Sequence, residues 1–188
     1  GASTGGVDAL ENVLSRFPPD CPPTVIVQHM PELFLTSLAT RLDAKYAPSI
    51  KLAENGASLR PGSVFIAPGG DYHLCVGDSH LRAELVGSDK VGRHRPSVDV
   101  IFGSLVHRAD NVIATLLTGM GRDGADGMKR LRSRGAMTIA QDEATCVVYG
   151  MPRAAIELDA ADKILPLNEI GDAILAHAAL PIASRSRA

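Results

Sequence analysis

"NVIATLLTGMGRDG", residues Asn111–Gly124, is the stretch that decides the fold. Its first half is an apolar run with the length and composition of a strand buried on both faces, as strands of parallel sheets are. At Gly119 the run breaks into the loop "MGRDG", and a helix carrying Met128 and Leu131 follows and stops at Gly135. The same order of strand and loop recurs on either side. "TVIV" (Thr24–Val27) runs straight into Gln28, His29, Met30 and Pro31, and "SVFIAPGG" (Ser63–Gly70) ends in a glycine turn. "AMTIAQD" (Ala136–Asp142) and "DKILPL" (Asp162–Leu167) add two more strands. Between them lie helical patterns. Val7, Leu10, Val13, Leu14 and Phe17 recur at helical spacing until "FPPDCPP", Ser97 stands as the cap of a helix from Val98 to about His107, and a last helix runs from Glu169 to Ala178. "HLCVGDSHLRAEL" (His73–Leu85) is the exception and predicts a hairpin around Gly77 and Asp78. Strands alternating with helices predict an α/β fold: a doubly wound, mostly parallel sheet flanked by helices on both faces, with one antiparallel hairpin insertion. One domain is expected over residues 1–180, with a disordered tail at 181–188 that includes "SRSRA".

Bulk properties narrow the function. The chain has 188 residues, 45% of them hydrophobic, enough for one sizeable core. A net charge of -2, no Trp and 4% aromatics give neither the basic footprint nor the stacking platforms that nucleic acid requires. Cys21, Cys75 and Cys146 are odd in number, widely spaced and free of CxxC patterns, so no disulfide framework or zinc site is expected, which fits a cytoplasmic protein. No apolar run approaches the roughly 18 residues of a membrane span, and no direct membrane insertion is expected.

The opening "GASTGG" (Gly1–Gly6) fits a G-x-S-x-G elbow, in which small neighbours let a nucleophilic hydroxyl stand clear of the main chain. Glycines and serines also build ordinary turns. A serine hydroxyl near neutral pH needs a base within reach, and the base works best when a carboxylate orients its other nitrogen. Ser3, His29 and Asp123 all fall at carboxyl ends of predicted strands, where ligands bind in open α/β sheets. Among six histidines, His29 leads because its strand is expected beside that of Ser3, while His73 and His94 border loops that reach the same rim. His80, His107 and His177 are taken as surface or packing residues. For the carboxylate, Asp123 and Asp99 compete, with Asp99 open to a reading as a first-turn acid at a helix start. The spacing of Asp123 and Asp126, without a matching histidine or acidic cluster, gives no metal site. The order serine, histidine, aspartate differs from the serine, acid, histidine order of the α/β-hydrolases.

Taken together, "GASTGG" (1 to 6), "VIVQHMP" (25 to 31), "VFIAPGGDYHL" (64 to 74), "RHRPSVDVIF" (93 to 102), "LLTGMGRDGADGM" (116 to 128) and "VVYGMPRAA" (147 to 155) resemble the catalytic domain of the bacterial chemotaxis protein-glutamate methylesterases. The matching stretches run in order through nearly the whole chain. By motif, the resemblance puts the nucleophile on Ser3, the base on His29, the aspartate on Asp123 and the oxyanion-binding amides on Thr4 and Met120. It implies hydrolysis of glutamate γ-methyl esters on the cytoplasmic helical domain of chemoreceptors, with methanol released, and deamidation of receptor glutamines. No cofactor is implied. Family members carry an apolar strand ahead of the serine turn, and many carry an N-terminal receiver domain, so a chain opening at Gly1 is expected to be a fragment. Glu32 and Leu33 stand where the family tends toward small or proline-like residues, implying a different entrance to the site. Met30, Met120, Met128 and Met151 are expected chiefly to fill the core, Cys146 to be a packed thiol, and the arginines of "RHRPS" either to hold neighbouring strands or to form a cationic rim. Two other functions fit the residues: a serine esterase for small acyl substrates, and a non-catalytic module that binds anions at the glycine-rich helix start.

Overall fold

The computed structural model describes residues 1–77 and 81–180. The strands are β1 (Thr24–Ile26), β2 (Ser49–Leu52), β3 (Ser63–Ile66), β4 (Tyr72–Val76), β5 (Ala83–Gly87), β6 (Ile113–Leu116), β7 (Met137–Gln141) and β8 (Lys163–Leu165). The helices are α1 (Gly6–Leu14), α2 (Glu32–Lys45), α3 (Val98–Ser104), α4 (Ala125–Arg132), α5 (Met151–Glu157) and α6 (Leu167–Ala178), with a 3-10 helix over Val106–Asn111. The helix expected from Val98 to about His107 thus ends at Ser104 and continues only as this tighter piece.

Two parallel three-stranded ladders, β1-β3-β2 and β6-β7-β8, are joined by the first three residues of the chain. On one side the Ala2 amide donates to Val27 O and the His29 amide to Ala2 O, at 2.9 and 3.0 Å. On the other, Leu117 N–H donates to Gly1 O and Ser3 N–H to Thr118 O, at 2.9 and 3.0 Å. The continuous order is therefore β2-β3-β1, then Gly1–Ser3, then β6-β7-β8. All of these strands run parallel, and β4 and β5 form the separate antiparallel hairpin. Its expected centre at Gly77 and Asp78, and His80, reach into residues 78–80, which lie outside the described residues, as does the tail at 181–188.

Side chains alternating along the strands build two cores. Val27, Ala114 and Leu116 pack with Ile101 and Phe102 of α3, Met128 and Leu131 of α4 and Met151 of α5. Ile26, Val64, Ile66 and Leu117 pack with Leu10 and Leu14 of α1, Leu35 and Leu42 of α2 and Ile170 of α6. Each fully buried leucine contributes about 1.5–3 kcal/mol by leaving water, so both faces of the sheet must be covered. The fold is a doubly wound α/β sheet, as the strand and helix order requires. Near its centre the chain changes face: α1 leaves Gly1–Ser3 toward one core and α4 leaves β6 toward the other, and in open α/β sheets ligands bind beyond the strands' carboxyl ends at such a switch point. A partly open cavity of about 1030 Å³ reaches from Gly1 toward Pro22, Pro23 and Asn111 at the opposite, amino ends of β1 and β6.

Candidate active site

Ser3 ends the central segment and leads directly into α1. Gly5, at φ 77°, takes the left-handed turn that lets the helix begin soon after Ser3. On one flank lies the strand end carrying His29. Ala2 pairs with Gln28 in parallel register, so the next residues along, Ser3 and His29, project together from the other face of the sheet. The buried Gln28 ties the two chain ends: its Nε2 donates to Ser3 O at 2.9 Å and to His29 O at 3.1 Å. On the other flank lies Gly119, where a Cβ would stand 2.7 Å from Ser3 Cβ and 2.5 Å from Met151 Sδ. Only glycine lets the β6 loop come this close.

Asp123, 5% exposed, sits in that loop and accepts four hydrogen bonds. Oδ2 takes the His29 Nε2–H and the Val98 amide, both at 2.7 Å, while Oδ1 takes the Ser97 hydroxyl at 2.7 Å and the Asp99 amide at 3.0 Å. Burial alone would raise the carboxyl, yet the bonds from His29, Val98, Asp99 and Ser97 outweigh it and hold the pKa at about 2. Asp123 is therefore an anion that fixes His29 with Nε2 protonated. The remaining nitrogen, Nδ1, is then the basic one, and it is buried without a hydrogen-bond partner among the described residues. A hydrogen bond from Ser3 Oγ to this nitrogen is not closed here, and such contacts commonly tighten only with substrate bound.

The competing residues take other roles. Asp99 turns its carboxylate to the Gly127 amide at 2.6 Å, and burial raises its pKa. His73 is fully buried, its Nδ1 accepting the Ser97 amide at 3.1 Å and its Nε2 facing Asp89 O at 3.0 Å. His94 stacks flat on His29, with ring centroids 3.9 Å apart and planes 3° from parallel. Thr4 and Met120 border Ser3 on the two flanks, and neither amide donates to another backbone group among the described residues. Met120 is 68% exposed and does not fill the core, whereas Met128 and Met151 are fully buried. Met120 is a rim residue because the glycines on both sides of it carry the loop outward. Burial pushes the Cys146 thiol up to about 11, with Asp142 adding to the effect, so it is protonated and inert. Arg95 holds neighbouring chain, donating to Gly70 O and Ser88 O at 2.8 Å and to Asp71 Oδ1 at 2.6 Å. Among the described residues no group of three or more metal-ligating side chains occurs, and no helix is long and apolar enough to cross a membrane.

Several residues of this site carry no motif of their own. Ser97, the expected cap of α3, instead gives its hydroxyl to Asp123, and Asp123 accepts the first amides of that helix in its place. Thr118 links the loops around Ser3, donating to Thr4 O and accepting from the Val148 amide, both at 2.9 Å. The available signal is polarity at strand ends, as in Gln28 immediately before His29.

An imidazole fixed by a buried carboxylate, on the strand beside a serine turn and at the carboxyl edge of a doubly wound sheet, is an arrangement that serine hydrolases use to activate a hydroxyl. The CheB methylesterase family model matches residues 1–174, and the chain belongs to that family. It is similar to the protein-glutamate methylesterase/protein-glutamine glutaminase 1 of Caulobacter vibrioides, 51% identical over 177 residues that make up 93% of this chain and 52% of the relative. The Agrobacterium fabrum protein-glutamate methylesterase/protein-glutamine glutaminase is likewise 51% identical, over 93% of this chain and 50% of its own. The chain spans about half the length of the curated relatives it matches. The crystal structure of the Thermotoga maritima CheB methylesterase catalytic domain superposes with a TM-score of 0.90 at 40% identity, covering 94% of this chain and 95% of that one.

Proposed function

We propose that this chain is a catalytic unit that hydrolyses glutamate γ-methyl esters on the cytoplasmic helical domain of chemoreceptors and deamidates receptor glutamines, the two activities that its relatives' names carry. The observation that carries the reading is the 2.7 Å contact of His29 Nε2 with an ionised Asp123, which leaves a buried, unpartnered Nδ1 on the strand next to Ser3. Ser3 Oγ attacks the ester carbonyl as its proton passes to His29 Nδ1. The tetrahedral oxyanion is held by the amides of Thr4, at a helix start, and Met120, in the close-approaching β6 loop. His29 returns the proton to the departing methoxide, and methanol leaves. Water then attacks the acyl-enzyme with His29 again taking the proton, freeing glutamate and restoring Ser3. Glutamine follows the same path with ammonia as the leaving group, which depends more strongly on protonation by His29. No step needs a cofactor. The setting for this reaction is the cytoplasm, and a receiver domain is a proposed regulatory partner.

Membranes bearing receptors methylated with a radiolabelled methyl group provide the test, with volatile methanol counted after incubation. The wild-type chain releases label; Ser3→Ala releases none above the membrane blank while keeping its circular dichroism. Methanol release by Ser3→Ala at the wild-type rate overturns the assignment. A chain that cleaves p-nitrophenyl esters through Ser3 but leaves methylated receptor untouched is instead an esterase for small acyl substrates.

A further inference from the structure

We infer that His94 is a positioning residue for this reaction: its ring, stacked on His29, fixes the plane of the proposed base and stabilises that base while it holds the serine proton. This rests on the reading of Ser3, His29 and Asp123 given above.

One hydrogen bond cannot hold an imidazole plane. The contact to Asp123 anchors Nε2 but leaves the ring free to rock about that point, carrying Nδ1 away from Ser3 Oγ. A second ring 3.9 Å away and within 3° of parallel removes that freedom over one whole face. The His29 side chain is only 9% exposed with His94 over it. The loop that aims His94 is built for the purpose. Val91 and His94 exchange backbone hydrogen bonds at 3.1 and 2.9 Å, and Arg93 takes φ 74°, a left-handed conformation that costs a residue with a Cβ of order 1 kcal/mol or more. The next residue, Arg95, is clamped by its three bonds to Gly70, Ser88 and Asp71.

The charges point the same way. When His29 takes the proton from Ser3 it becomes a cation lying against a neutral aromatic face, an attraction absent while His29 is neutral. An interaction gained only as the proton moves lowers the barrier rather than tightening substrate binding. His94 is suited to stay neutral: burial first, and then the neighbouring His29, lower its proton affinity, with Asp123 pulling more weakly in the other direction. The stack also excludes His94 as a second base for Ser3 through His29. Ring nitrogens hydrogen-bond within the ring plane, and two parallel planes offer each other no such path.

Packing alone would be served equally by an aliphatic side chain of similar size, and this separates the two possibilities. In the full chain, His94→Phe keeps an aromatic face and His94→Leu keeps only bulk. For methanol release from methylated receptor membranes, the expected kcat of His94→Phe lies within about threefold of wild type. That of His94→Leu falls about tenfold, the rate equivalent of one partly desolvated cation–π contact, with KM little changed. Labelling of Ser3 by a fluorophosphonate, which needs no receptor, slows in His94→Leu by a similar factor. His94→Ala serves as a second variant and falls at least as far as His94→Leu. Wild-type kcat in His94→Leu, a Phe variant as slow as Leu, or a change confined to KM overturns the inference. Ser3→Ala run alongside keeps the cases apart: if that variant also releases methanol, the reading of the site has failed rather than the role of His94.

Discussion

The two ends of the His29 imidazole are opposites. At Nε2 stands Asp123, buried and saturated by donors from His29, Ser97, Val98 and Asp99. At Nδ1 there is a buried nitrogen with no partner among the described residues, on a side chain whose strand lies beside that of Ser3. A buried polar atom without a hydrogen bond costs about 1–3 kcal/mol, and a fold retains such a cost where something arriving later makes use of it. The saturated end is anchored through the start of α3, which packs into the core through Val98, Ile101 and Phe102. The open end is made of the chain's first residues and glycine-flanked loops that approach closely but leave donors spare. One half of the site is thus finished in the resting protein, and the other is left for the substrate to complete.

The largest way to break this contrast is to spoil the finished end without disturbing its shape. Asp123→Asn keeps the size of the side chain but replaces one acceptor oxygen by an NH₂ donor, which would face either His29 Nε2 or the donors of Ser97 and Asp99. If the amide nitrogen faces His29, the ring must turn its lone pair to Nε2 and place its proton on Nδ1, where the base is needed. Methanol release is expected to fall by about 10⁴, the loss recorded for the equivalent aspartate-to-asparagine change in trypsin. Loss of only a few-fold would mean that His29 does not depend on the charge or on the tautomer it selects.

How far the sequence reaches into this architecture depends on what each residue's signal is about. Strands β1, β3, β6 and β7 are apolar runs ending in glycine or a polar pair, and such runs have few other uses. Helix α2 is different. Leu35, Leu38, Ala39 and Leu42 form its buried stripe, but Leu33 and Phe34, 78% and 59% exposed, break the pattern that would have marked it. The short β2, with Lys51 exposed at the edge of the sheet, gives no alternation long enough to read. In the site, His29 and Asp123 are visible because they stand at strand ends, whereas local pattern alone leaves Asp99 competing with Asp123, and it is the motif resemblance that favours Asp123. Both lie near helix starts, and only the three-dimensional path shows one accepting Gly127 N–H and the other meeting His29. His94 and Ser97 are likewise assigned by loops whose course no local pattern specifies.

The same saturation has a signature in acid. Asp123 has a pKa of about 2 against an ordinary 3.8, so the folded chain holds the carboxylate in its ionised form more strongly than the unfolded one. The stability this provides is fully present above pH 3.8 and disappears as pH falls through about 2. It amounts to roughly 2 kcal/mol, since each tenfold change in proton affinity is worth about 1.4 kcal/mol and the group is buried. Urea unfolding between pH 5 and 2 should therefore show a loss of about that size in the wild type, missing from Asp123→Asn. Equal slopes in the two proteins would place the acid sensitivity in other carboxylates.

The finest test removes one donor of the four. In Ser97→Ala the hydroxyl bond to Asp123 Oδ1 is lost, but the Val98 and Asp99 amides and His29 remain, and His73 still accepts the residue-97 amide because that bond is to the backbone. A hydrogen bond to a buried charge contributes about 1.5–3 kcal/mol when its partner is left wanting, and the Asp99 amide, already on Oδ1, offsets part of that. Stability is expected to fall by about 1 kcal/mol, and the acid transition to move upward as Asp123 loses one of the bonds that lower its pKa. Activity should fall by no more than about tenfold, because the tautomer of His29 is set by the charge and by Oδ2, neither of which changes. If Ser97→Ala proves as damaging as Asp123→Asn, the aspartate is not anchored by redundancy, and the hydroxyl of Ser97 takes a direct part in holding His29 in place.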